Sequence, residues 1–479
     1  MEEKKRVFIS TAIPYVNAKP HIGFVLELVQ ADVYARFKRS LKADVFFLTG
    51  TDENSLKNVQ AAEEAGEETA KFVKKNAEFF QKLIRDLNIS NDDFIRTSVD
   101  ERHRKGAEKL WKACSHDIYK KKYKGFYCLG CEEFKTEKDL DEKGRCPEHP
   151  NKEIEIVEEE NYFFKLSNYQ EKIKEAIEAG KIQIIPEKRK NEMLSFIKSG
   201  LEDFSISRSK ERAKGWGIPV PGDESQVMYV WFDALTNYIT ALDYANNGEK
   251  FKEFWEEGEV VHIIGKGINR FHTIYWPAML LSSGEKMPNK VFAHGYVTAD
   301  GQKMSKSLGN VVDPFSLIEK YGAEAVRYYL LREIPAYEDG DFSKEKFEMR
   351  YNGDLANGLG NFASRVLKLY AEFGGEETEA LVDLEKIEEI KEKINEFKFN
   401  EAISSIFEMI TRGDKYFNEK KPWETKDKTI IGDAVGLLKK VSELLIPFLP
   451  EAAGKILEKV KNKEAIKEPL FPRLEKKNV

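Results

Sequence analysis

The chain has 479 residues, of which 41% are hydrophobic and 33% are charged, and its net charge at neutral pH is −6. This composition excludes an intrinsically disordered protein, and the lack of any run of about 20 apolar residues excludes a transmembrane helix. The length suits about three domains of ordinary size. No apolar run of the signal-peptide type follows the segment Met1–Arg6, so we expect a cytoplasmic protein.

The first elements predicted along the chain form a strand–helix–strand unit. Val7–Ser10 and Val45–Thr49 have the apolar runs of buried strands, and a helical pattern between them opens at His21 and continues to about Ser40. The same order recurs later in the strand Val260–Ile264, the helix Arg270–Leu281 and the strand Val291–Val297. Units of this kind favour a parallel sheet covered by helices.

Three of the four cysteines lie in one short segment between these two units. Cys128-x-x-Cys131 is followed, after 14 residues, by Cys146-x-x-His149. Two ligand pairs at this spacing can close a tetrahedral Cys₃His site, the geometry that structural zinc prefers. Because protein ligands fill all four positions, we predict a structural zinc knuckle and no catalytic metal. Cys114 lies outside the pattern and is expected to be a small buried residue.

From Asn352 onwards the predicted structure is helical only. Apolar residues recur at three- and four-residue spacing in the stretches Leu355–Phe373, Ile387–Ile410, Ile430–Leu445 and Ala452–Val460, which indicates a helical bundle. We therefore predict an α/β fold, in which a Rossmann-type parallel-sheet domain is split by the zinc-knuckle insertion and followed by an α-helical bundle. The predicted ranges are 1–118 and 221–300 for the two halves of the nucleotide-binding domain, 119–220 for the insertion, 301–350 for a loop region and 351–479 for the bundle.

Two motifs predict a nucleotide site. His21 and Gly23 lie at a helix N-terminus directly after a strand, where unpaired backbone N–H groups and a partial positive charge suit phosphate. The segment Gly301-Gln302-Lys303-Met304-Ser305-Lys306-Ser307 follows the second unit, and its two lysines can bracket a triphosphate. Alone, the first motif is more often structural and the second more often an exposed basic turn. Their order across a split fold favours one nucleotide site.

These two motifs resemble the paired signatures of class I aminoacyl-tRNA synthetases. Further segments resemble the methionyl-tRNA synthetases in particular: Ala12-Ile13-Pro14-Tyr15, Val230-Trp231-Phe232-Asp233-Ala234, Arg270-Phe271-His272 and Tyr275-Trp276-Pro277-Ala278-Met279. The chain is too short for the large editing insertion of the leucine, isoleucine and valine enzymes, and it lacks the cysteine pattern of the cysteine enzyme. The resemblance covers nearly the whole chain and implies L-methionine, ATP and tRNA(Met) as substrates.

The resemblance assigns a methionine pocket, with Asp52 holding the α-ammonium group. The other assigned residues are Ala12, Ile13, Tyr15, Trp231, Ala234, Leu235, Tyr238, Ile268 and His272. Four of them, from Trp231 to Tyr238, follow the spacing i, i+3, i+4, i+7 of one helix face, and a polarizable thioether packs well against aromatic rings. The same spacing fits an ordinary core stripe, so the motifs decide between the two interpretations. We expect His272, one of only seven histidines, to be neutral and hydrogen-bonded near the substrate.

The resemblance also implies the reaction chemistry. The methionine carboxylate attacks the α-phosphate of ATP to give methionyl-adenylate and diphosphate, and a terminal tRNA hydroxyl then attacks the adenylate carbonyl. His21, Lys303 and Lys306 are expected to be catalytic donors to phosphate oxygens. The ATP-binding residues implied are His21, Gly23, Lys303, Ser305, Lys306 and Ser307. Mg²⁺ is expected with the ATP, held largely by phosphates and water.

Two segments of the predicted bundle resemble the family's anticodon-reading motifs, Gly360-Asn361-Phe362-Ala363-Ser364-Arg365 and Lys421-Pro422-Trp423. Asn361 and Arg365 are one helical turn apart, so both can face one groove, and Trp423 can stack on an unpaired base. Without the resemblance, the first two are ordinary surface residues and Trp423 is an ordinary core anchor. With it, 301–350 is the implied stem-contact region and 351–479 the anticodon-binding domain.

Several positions depart from the family's pattern. Phe24 replaces a histidine, Asn54-Ser55 stands where His-Gly is common, and Gly267 stands where an aspartate usually contacts the substrates. These departures leave open a synthetase-like protein that binds tRNA or another ligand with weak or no catalysis, and more remotely a nucleotidyl-transfer enzyme without tRNA. The retained site residues and the bundle favour the synthetase. Because no dimerisation domain follows the bundle, we expect a monomer. Because no apolar run is long enough to span a bilayer, we expect no membrane association.

Overall fold

The computed structural model describes residues 4–128, 130, 133–135, 137–147, 152–299, 301–304 and 309–475. The chain forms two compact units. The first comprises Met1–Lys19, Lys42–Lys82 and Asn91–Ala293, and the second comprises Pro20–Leu41, Leu83–Ser90 and His294–Val479. Within the described ranges, no helix combines the length and the apolar character needed to cross a membrane.

Within the residues that the structure describes, the strands are distributed over four sheets. In chain order they are β1 (Arg6–Thr11), β2 (Asp44–Thr51), β3 (Asp93–Arg96), β4 (Ile118–Cys128), β5 (Glu133–Lys135), β6 (Ile154–Phe164), β7 (Gln183–Ile185), β8 (Phe204–Ser205), β9 (Ser207–Ser209), β10 (Pro219–Val220), β11 (Asp223–Met228), β12 (Glu259–Gly265), β13 (Lys290–His294), β14 (Val297–Ala299), β15 (Gln302–Lys303) and β16 (Gly340–Phe342).

The α-helices, in chain order, are α1 (Ile22–Ser40), α2 (Leu56–Glu64), α3 (Thr69–Asp86), α4 (Glu101–Ala113), α5 (Gln170–Glu178), α6 (Glu187–Lys198), α7 (Val230–Thr240), α8 (Trp276–Ser283), α9 (Pro314–Tyr321), α10 (Ala323–Glu333), α11 (Lys344–Arg350), α12 (Asn361–Phe373), α13 (Leu384–Asn395), α14 (Phe399–Lys420), α15 (Pro422–Thr425), α16 (Lys428–Leu445) and α17 (Pro450–Asn462). Wider π-helical turns cover Phe251–Glu256, Phe271–Tyr275 and Tyr351–Gly360.

The first unit is built on a six-stranded sheet in the order β3-β2-β1-β12-β13-β7. Strand β1 pairs in parallel with both β2 and β12, so the two strand–helix–strand units predicted from the sequence meet in one sheet. Val7, Phe8 and Ile9 in β1 are all fully buried, as expected for a parallel strand that is covered on both faces. The predicted α/β fold with a parallel sheet is confirmed.

The segment predicted as an insertion contributes to three sheets of the first unit. Strands β4 and β6 form a long antiparallel hairpin, which pairs with β5 on one side and β8 on the other. A second small sheet has the order β10-β11-β9. In addition, β7 pairs in parallel with β13 and becomes the edge strand of the central sheet.

Two elements of the second strand–helix–strand motif differ from the sequence-based prediction. The single helix expected over Arg270–Leu281 is a π-helical turn followed by α8. The single strand expected over Val291–Val297 is two strands in different sheets, because the chain bends at Gly295. A Cβ atom on Gly295 would lie 2.2 Å from the carbonyl oxygen of Glu338, so only glycine permits this approach.

The second unit contains α1, a small sheet of order β15-β14-β16 and the helices from α9 onwards. The predicted helical pattern is confirmed, but two of its stretches are interrupted. The stretch Ile387–Ile410 is divided between α13 and α14 by Phe397, whose φ of +61° ends the first helix in the left-handed region. The stretch Leu355–Phe373 begins within a π-helical segment and continues as α12.

Candidate active site

Helix α7 carries the aromatic wall of the predicted methionine pocket. Strand β11 ends at Met228 and α7 begins at Val230. Tyr229, between them, has the extended backbone of a helix cap. The indole ring of Trp231 lies flat on the ring of Phe271, with ring centroids 3.7 Å apart and an interplanar angle of 6°. Tyr238, two turns further along α7, is buried. The result is an apolar, polarizable surface suited to a thioether.

His272 is buried and is held by two hydrogen bonds. Its Nδ1 lies 2.9 Å from the carbonyl oxygen of Ile268, and its Nε2 lies 2.7 Å from the hydroxyl oxygen of Tyr238. A carbonyl only accepts, so Nδ1 carries the proton, and Nε2 accepts from the Tyr238 hydroxyl. Burial lowers the pKa of His272 to about 4, which leaves the ring neutral at physiological pH.

Asp52 follows β2 and is held against the loop that follows β1. Its backbone N–H donates to the carbonyl oxygen of Pro14 at 2.9 Å, and Tyr15 forms a parallel bridge with it. The amide of Asn58 donates to the Asp52 carbonyl oxygen at 3.0 Å. The side chain is only 2% exposed. The main chain of Asp52 is therefore fixed on both sides, and its carboxylate is held within the first unit.

The remaining pocket residues pack on one hydrophobic cluster of the first unit. Ala12, Ile13, Trp231 and Ile268 are partly buried against the cluster that contains Leu235 and Tyr238, and Ala234 is buried in the same helix. Ala12 and Ile13 follow the carboxyl end of β1, Asp52 follows that of β2, Ile268 follows that of β12, and the other side chains lie on α7. Open α/β sheets bind their ligands at this end of the strands.

The predicted nucleotide motifs lie in the second unit. The Nδ1 atom of His21 accepts from the backbone N–H of Gly23 at 3.1 Å and caps the N-terminus of α1. A Cβ atom on Gly23 would lie 2.9 Å from the His21 ring and 4.0 Å from the Cε atom of Met304. The backbone N–H of Ile22 donates to the carbonyl oxygen of Val312. The start of α1 is therefore close to Met304 and to Val312.

The loop that carries the second motif is anchored at its first residue. Gly301 has a φ of +72°, and its N–H donates to Asp341 Oδ1, which also accepts from the Thr298 hydroxyl. Gln302 and Lys303 then form β15. Ser305, Lys306 and Ser307 lie outside the described residues, as does the side chain of Lys303, so their roles stay predictions.

The predicted anticodon residues lie at one end of the helical bundle. Asn361 begins α12 and Arg365 follows one turn later. The Arg365 guanidinium lies 5.0 Å from the ring centroid of Trp423, and it is held by Asp414 at 3.0 Å and Asn418 at 2.7 Å. Trp423 remains 40% exposed, which an indole that served only as a core anchor does not require. Arg365 and Trp423 together present a stacked, partly exposed surface.

Two of the four predicted zinc ligands belong to the described residues. Cys128 ends β4, and Cys146 lies in the segment before β6; both side chains are fully buried. Cys131 and His149 lie outside the described residues. Two buried thiols at the tip of a β-hairpin fit a structural metal, because thiolates shielded from water are good zinc ligands. Cys114 is buried as predicted, and burial raises the pKa of its thiol to about 12.

Comparison with known proteins assigns the family. The model of class I tRNA synthetases of the methionine type matches residues 7–155 and 149–367, and the model of the anticodon-binding domain of tRNA ligases matches 384–479. The methionine–tRNA ligase of Brucella suis is 41% identical over 95% of this chain and 92% of its own length, and that of Thermotoga maritima is 40% identical over 96% and 76%. The chain belongs to the methionyl-tRNA synthetase family.

The fold agrees with solved structures of this family. A structure of the Mycobacterium tuberculosis methionyl-tRNA synthetase with methionyl-adenylate has a TM-score of 0.89 and 39% sequence identity, covering 95% of this chain and 93% of that one. A structure of the same synthetase in its free state has a TM-score of 0.84 and covers 99% of both chains. The chain is therefore a class I aminoacyl-tRNA synthetase, an enzyme of the family that ligates methionine to tRNA.

The positions that depart from the methionyl-tRNA synthetase pattern are structurally accommodated. Phe24 is buried in α1. Ser55 caps α2 by accepting from the N–H of Lys57, and Asn54 donates to the buried carboxylate of Asp233 at 2.7 Å. Gly267 lies exposed in the turn after β12.

Sequence reasoning missed several residues around the pocket. Phe271, on which Trp231 stacks, follows Arg270 in a motif that was recognised but was not assigned to the pocket. The hydroxyl of Ser10 and His262 Nδ1 lie 2.7 Å apart, and the His262 ring lies 4.3 Å from Tyr238. The available signal was the histidine placed in the middle of an apolar strand, since such a residue needs a hydrogen-bond partner when it is buried.

Proposed function

We propose that this chain activates L-methionine with ATP to give methionyl-adenylate and diphosphate. It then transfers the methionyl group to the 3′ end of tRNA(Met) and releases AMP. The observation that supports this proposal is the stacked pair Trp231 and Phe271, with Tyr238 and the neutral His272, in the same compact unit as the buried Asp52. An apolar wall with one carboxylate matches the side chain and the α-ammonium group of methionine.

The neutral state of His272 supports selection of a thioether. A protonated ring would favour an anionic or strongly polar side chain at this position. Burial instead keeps the pKa of His272 at about 4, and both ring nitrogens already have partners in Ile268 and Tyr238. The pocket wall therefore offers no positive charge at His272, which favours an uncharged substrate side chain.

The chemistry requires positioning and charge stabilisation, without a covalent enzyme intermediate. The methionine carboxylate attacks the α-phosphate in line, and His21, Lys303 and Lys306 donate to the phosphate oxygens that gain charge as diphosphate leaves. Ser305 and Ser307 contribute hydroxyl groups, and Gly23 permits close approach of the α1 N-terminus. Mg²⁺ accompanies the ATP, bound mainly by phosphates and water.

Cys128, Cys131, Cys146 and His149 hold one structural zinc ion in this proposal. Asn361, Arg365 and Trp423 read the anticodon, with Trp423 as the stacking platform. The partial exposure of the Trp423 indole, with the Arg365 guanidinium beside it, supports the second assignment. The cytoplasmic location and the monomeric state expected from the sequence remain predictions.

The test is ATP–diphosphate exchange, measured without tRNA against a panel of amino acids. Exchange with methionine alone is expected. In the same assay Lys306→Ala should slow adenylate formation by about two to three orders of magnitude, the usual effect of removing one such donor. Exchange with no amino acid, from folded and zinc-loaded protein, would instead support a protein that binds tRNA or an aminoacyl ligand without efficient catalysis.

A further inference from the structure

A chain of polar side chains, of which Asn54 is half-buried and the others are buried, lies beside the predicted methionine pocket in the first unit. Asn54 Nδ2 donates to Asp233 Oδ2 at 2.7 Å, and Asp233 Oδ1 lies 2.5 Å from His103 Nε2. His103 Nδ1 lies 3.0 Å from the hydroxyl of Thr240. Asp233, His103 and Thr240 have no exposed surface. Polar groups this deeply buried are costly unless they are hydrogen-bonded, so these bonds fix the elements that carry them.

Each carboxylate oxygen of Asp233 has a defined partner. Oδ1 pairs with His103 Nε2, and Oδ2 accepts from the Asn54 amide. Removing the Asn54 amide would take away this partner of Oδ2. The free energy lost through a buried acceptor without its partner exceeds the gain from an ordinary surface hydrogen bond.

Asn54 joins this chain to the loop that contains Asp52. Its backbone N–H donates to Asp52 Oδ1 at 3.3 Å, and its side-chain amide also reaches the carbonyl oxygen of Thr97 at 3.3 Å. Glu53, which lies between Asp52 and Asn54 in the sequence, forms an ion pair with Arg96 at 2.7 Å. The loop is therefore tied to β3 through Glu53 and to α7 through Asn54.

Asp233 is the other end of this connection. It lies in α7 between Trp231 and Ala234, on the helix that forms the aromatic wall. Helix α4, which carries His103, packs closely on α7, since a Cβ atom on Gly106 would lie 2.3 Å from Thr240 Cγ2. The support of Asp233 therefore comes from a rigid helix pair and not from a loop.

We propose that Asn54 and Asp233, supported by His103, are positioning residues that hold the Asp52 carboxylate at a fixed distance from the aromatic wall of α7. They thereby set the affinity for the α-ammonium group of the bound amino acid. This inference rests on the proposed function of the pocket. It also explains how the chain tolerates Asn54 where the family commonly has histidine, because an amide N–H supplies the donor to Asp233 that an imidazole N–H can supply.

The test compares two unreactive ligands that differ only in the ammonium group. L-Methioninol keeps it, and 4-(methylthio)butan-1-ol lacks it. Their dissociation constants are measured by ligand-observed NMR titration for the wild type, Asn54→Ala and Asn54→His. The matched control is Asn289→Ala, a half-buried amide whose Oδ1 accepts from the Val260 N–H at the amino end of the central sheet.

Asn54→Ala is expected to weaken L-methioninol binding about tenfold, as loss of one buried hydrogen bond to a charged group would do, and to change binding of the alcohol less than about twofold. Asn54→His should restore most of the affinity for L-methioninol, and Asn289→Ala should bind both ligands as the wild type does. Equal weakening of both ligands by Asn54→Ala would indicate general damage and overturn the inference, as would no change in either.

The two proposals fail in different measurements. Absence of ATP–diphosphate exchange with methionine in the wild type would contradict the proposed reaction, while the NMR titration reports binding without catalysis. If Asn54→Ala does not fold, Asn54→His still decides the question. Asn54→His should bind L-methioninol within about threefold of the wild type, a factor worth under 1 kcal/mol. A larger loss of affinity for that ligand alone would show that an imidazole N–H cannot replace the amide N–H as the donor to Asp233, and would contradict the inference.

Discussion

Burial lowers the pKa of His272 to about 4, and burial, with repulsion from His272 as a smaller cause, lowers the pKa of His262 well below its ordinary value. The rings lie 6.0 Å apart behind the aromatic wall, so protonating either one would place a charge in an apolar region. Both side chains are therefore neutral in the folded protein at physiological pH. Their neutrality makes the stability of the fold depend on pH.

The free energy of unfolding should fall as the pH decreases from 6.5 towards 4. In this window the unfolded chain binds protons on His272 that the folded chain does not, so the unfolded state gains stability. For a pKa of about 4 in the folded state and 6.5 in the unfolded state, His272 contributes about 2 kcal/mol of destabilisation between pH 7.5 and pH 5.

Urea unfolding at pH 7.5, 6 and 5 measures this dependence. The variant His272→Gln should lose about 2 kcal/mol less than the wild type between pH 7.5 and pH 5, although it is less stable at pH 7.5. An identical pH dependence in both proteins would show that His272 titrates alike in the folded and unfolded states, contrary to its burial.

The state of His272 could be predicted from the sequence, whereas the partner of His103 could not. The neutral, hydrogen-bonded state of His272 was predictable, because a motif placed it near an uncharged substrate. The pairing of His103 with Asp233 was not, because 130 positions separate them and neither neighbourhood indicates the partner. A buried charge and its partner are fixed by packing between elements, and the periodicity of one element carries no information about it.

At the scale of the element, β2 brings Asp52 into place through close packing at Gly50. A Cβ atom on Gly50 would lie 2.2 Å from the carbonyl oxygen of Ile95 and 2.6 Å from its Cγ2. The first contact is with the backbone of β3, which cannot move without breaking the pairing of the two strands. The spacing of β2 and β3 therefore depends on the absence of a side chain.

Gly50→Ala should lower the free energy of unfolding by about 1–3 kcal/mol, the usual effect of overpacking a core, and should raise the KM for methionine because Asp52 follows two residues later. Gly454→Ala is the control: it lies within α17 with open space around its Cα, so it should be neutral or stabilise by about 1 kcal/mol. A fully stable Gly50→Ala enzyme with an unchanged KM would contradict this packing argument.

The short helix α15 presents Trp423 beside the longer α14. Its indole is 40% exposed, stacked with Arg365 and 6.1 Å from the ring of Phe417. Trp423→Ala should raise the KM for tRNA about tenfold, since stacking of one base on an aromatic ring is worth about 1–3 kcal/mol, and should leave ATP–diphosphate exchange with methionine unchanged.

Leu384→Ala, which also removes an exposed apolar side chain from the bundle, serves as the control and should affect neither reaction. Equal damage by Trp423→Ala to exchange and to tRNA charging would identify Trp423 as a packing residue.

Element types were more predictable than element limits. The strand–helix–strand order and the helical bundle follow from hydrophobic periodicity, which the structure reproduces. The split of Val291–Val297 into β13 and β14 could not be predicted, because both strands are apolar and the bend depends on the approach of Glu338 to Gly295. The π-helical turn at Phe271–Tyr275 was also unpredictable, since an apolar run favours an α-helix equally.

For the whole molecule, the sequence does not predict how chain segments are shared between the two compact units. Helix α1 directly follows β1 in sequence, yet it belongs to the second unit together with the bundle. The buried Arg327 explains part of this grouping, because its guanidinium binds Asp32 of α1 at 2.7 Å and the carbonyl oxygens of Pro447 and Phe448. One fully buried arginine thus ties distant segments, and a basic residue in an amphipathic helix gives no sign of this role.

The proposed zinc ion would link Cys128, at the end of β4, to Cys146, in the segment before β6. Elemental analysis of protein purified without chelator should find about one zinc per chain, and Cys128→Ser should lose it. Cys114→Ala is the matched control, since Cys114 is equally buried but lies outside the ligand pattern, and it should retain the metal. No metal in any of these proteins would contradict the knuckle.

Removing the metal should impair the transfer of methionine to tRNA and leave adenylate formation nearly unchanged. Of the predicted ligands, Cys128 ends β4 and Cys146 lies in the segment before β6, whereas the predicted methionine-pocket residues follow β1, β2 and β12 or lie on α7, so chelation should leave ATP–diphosphate exchange nearly unchanged. Transfer to tRNA should fall at least about tenfold. The family resemblance implies that the inserted segment lies over the acceptor end of the tRNA, and a knuckle without zinc loses the free energy that the metal supplies to folding. If exchange and charging fell by the same factor, the metal would instead support the whole first unit.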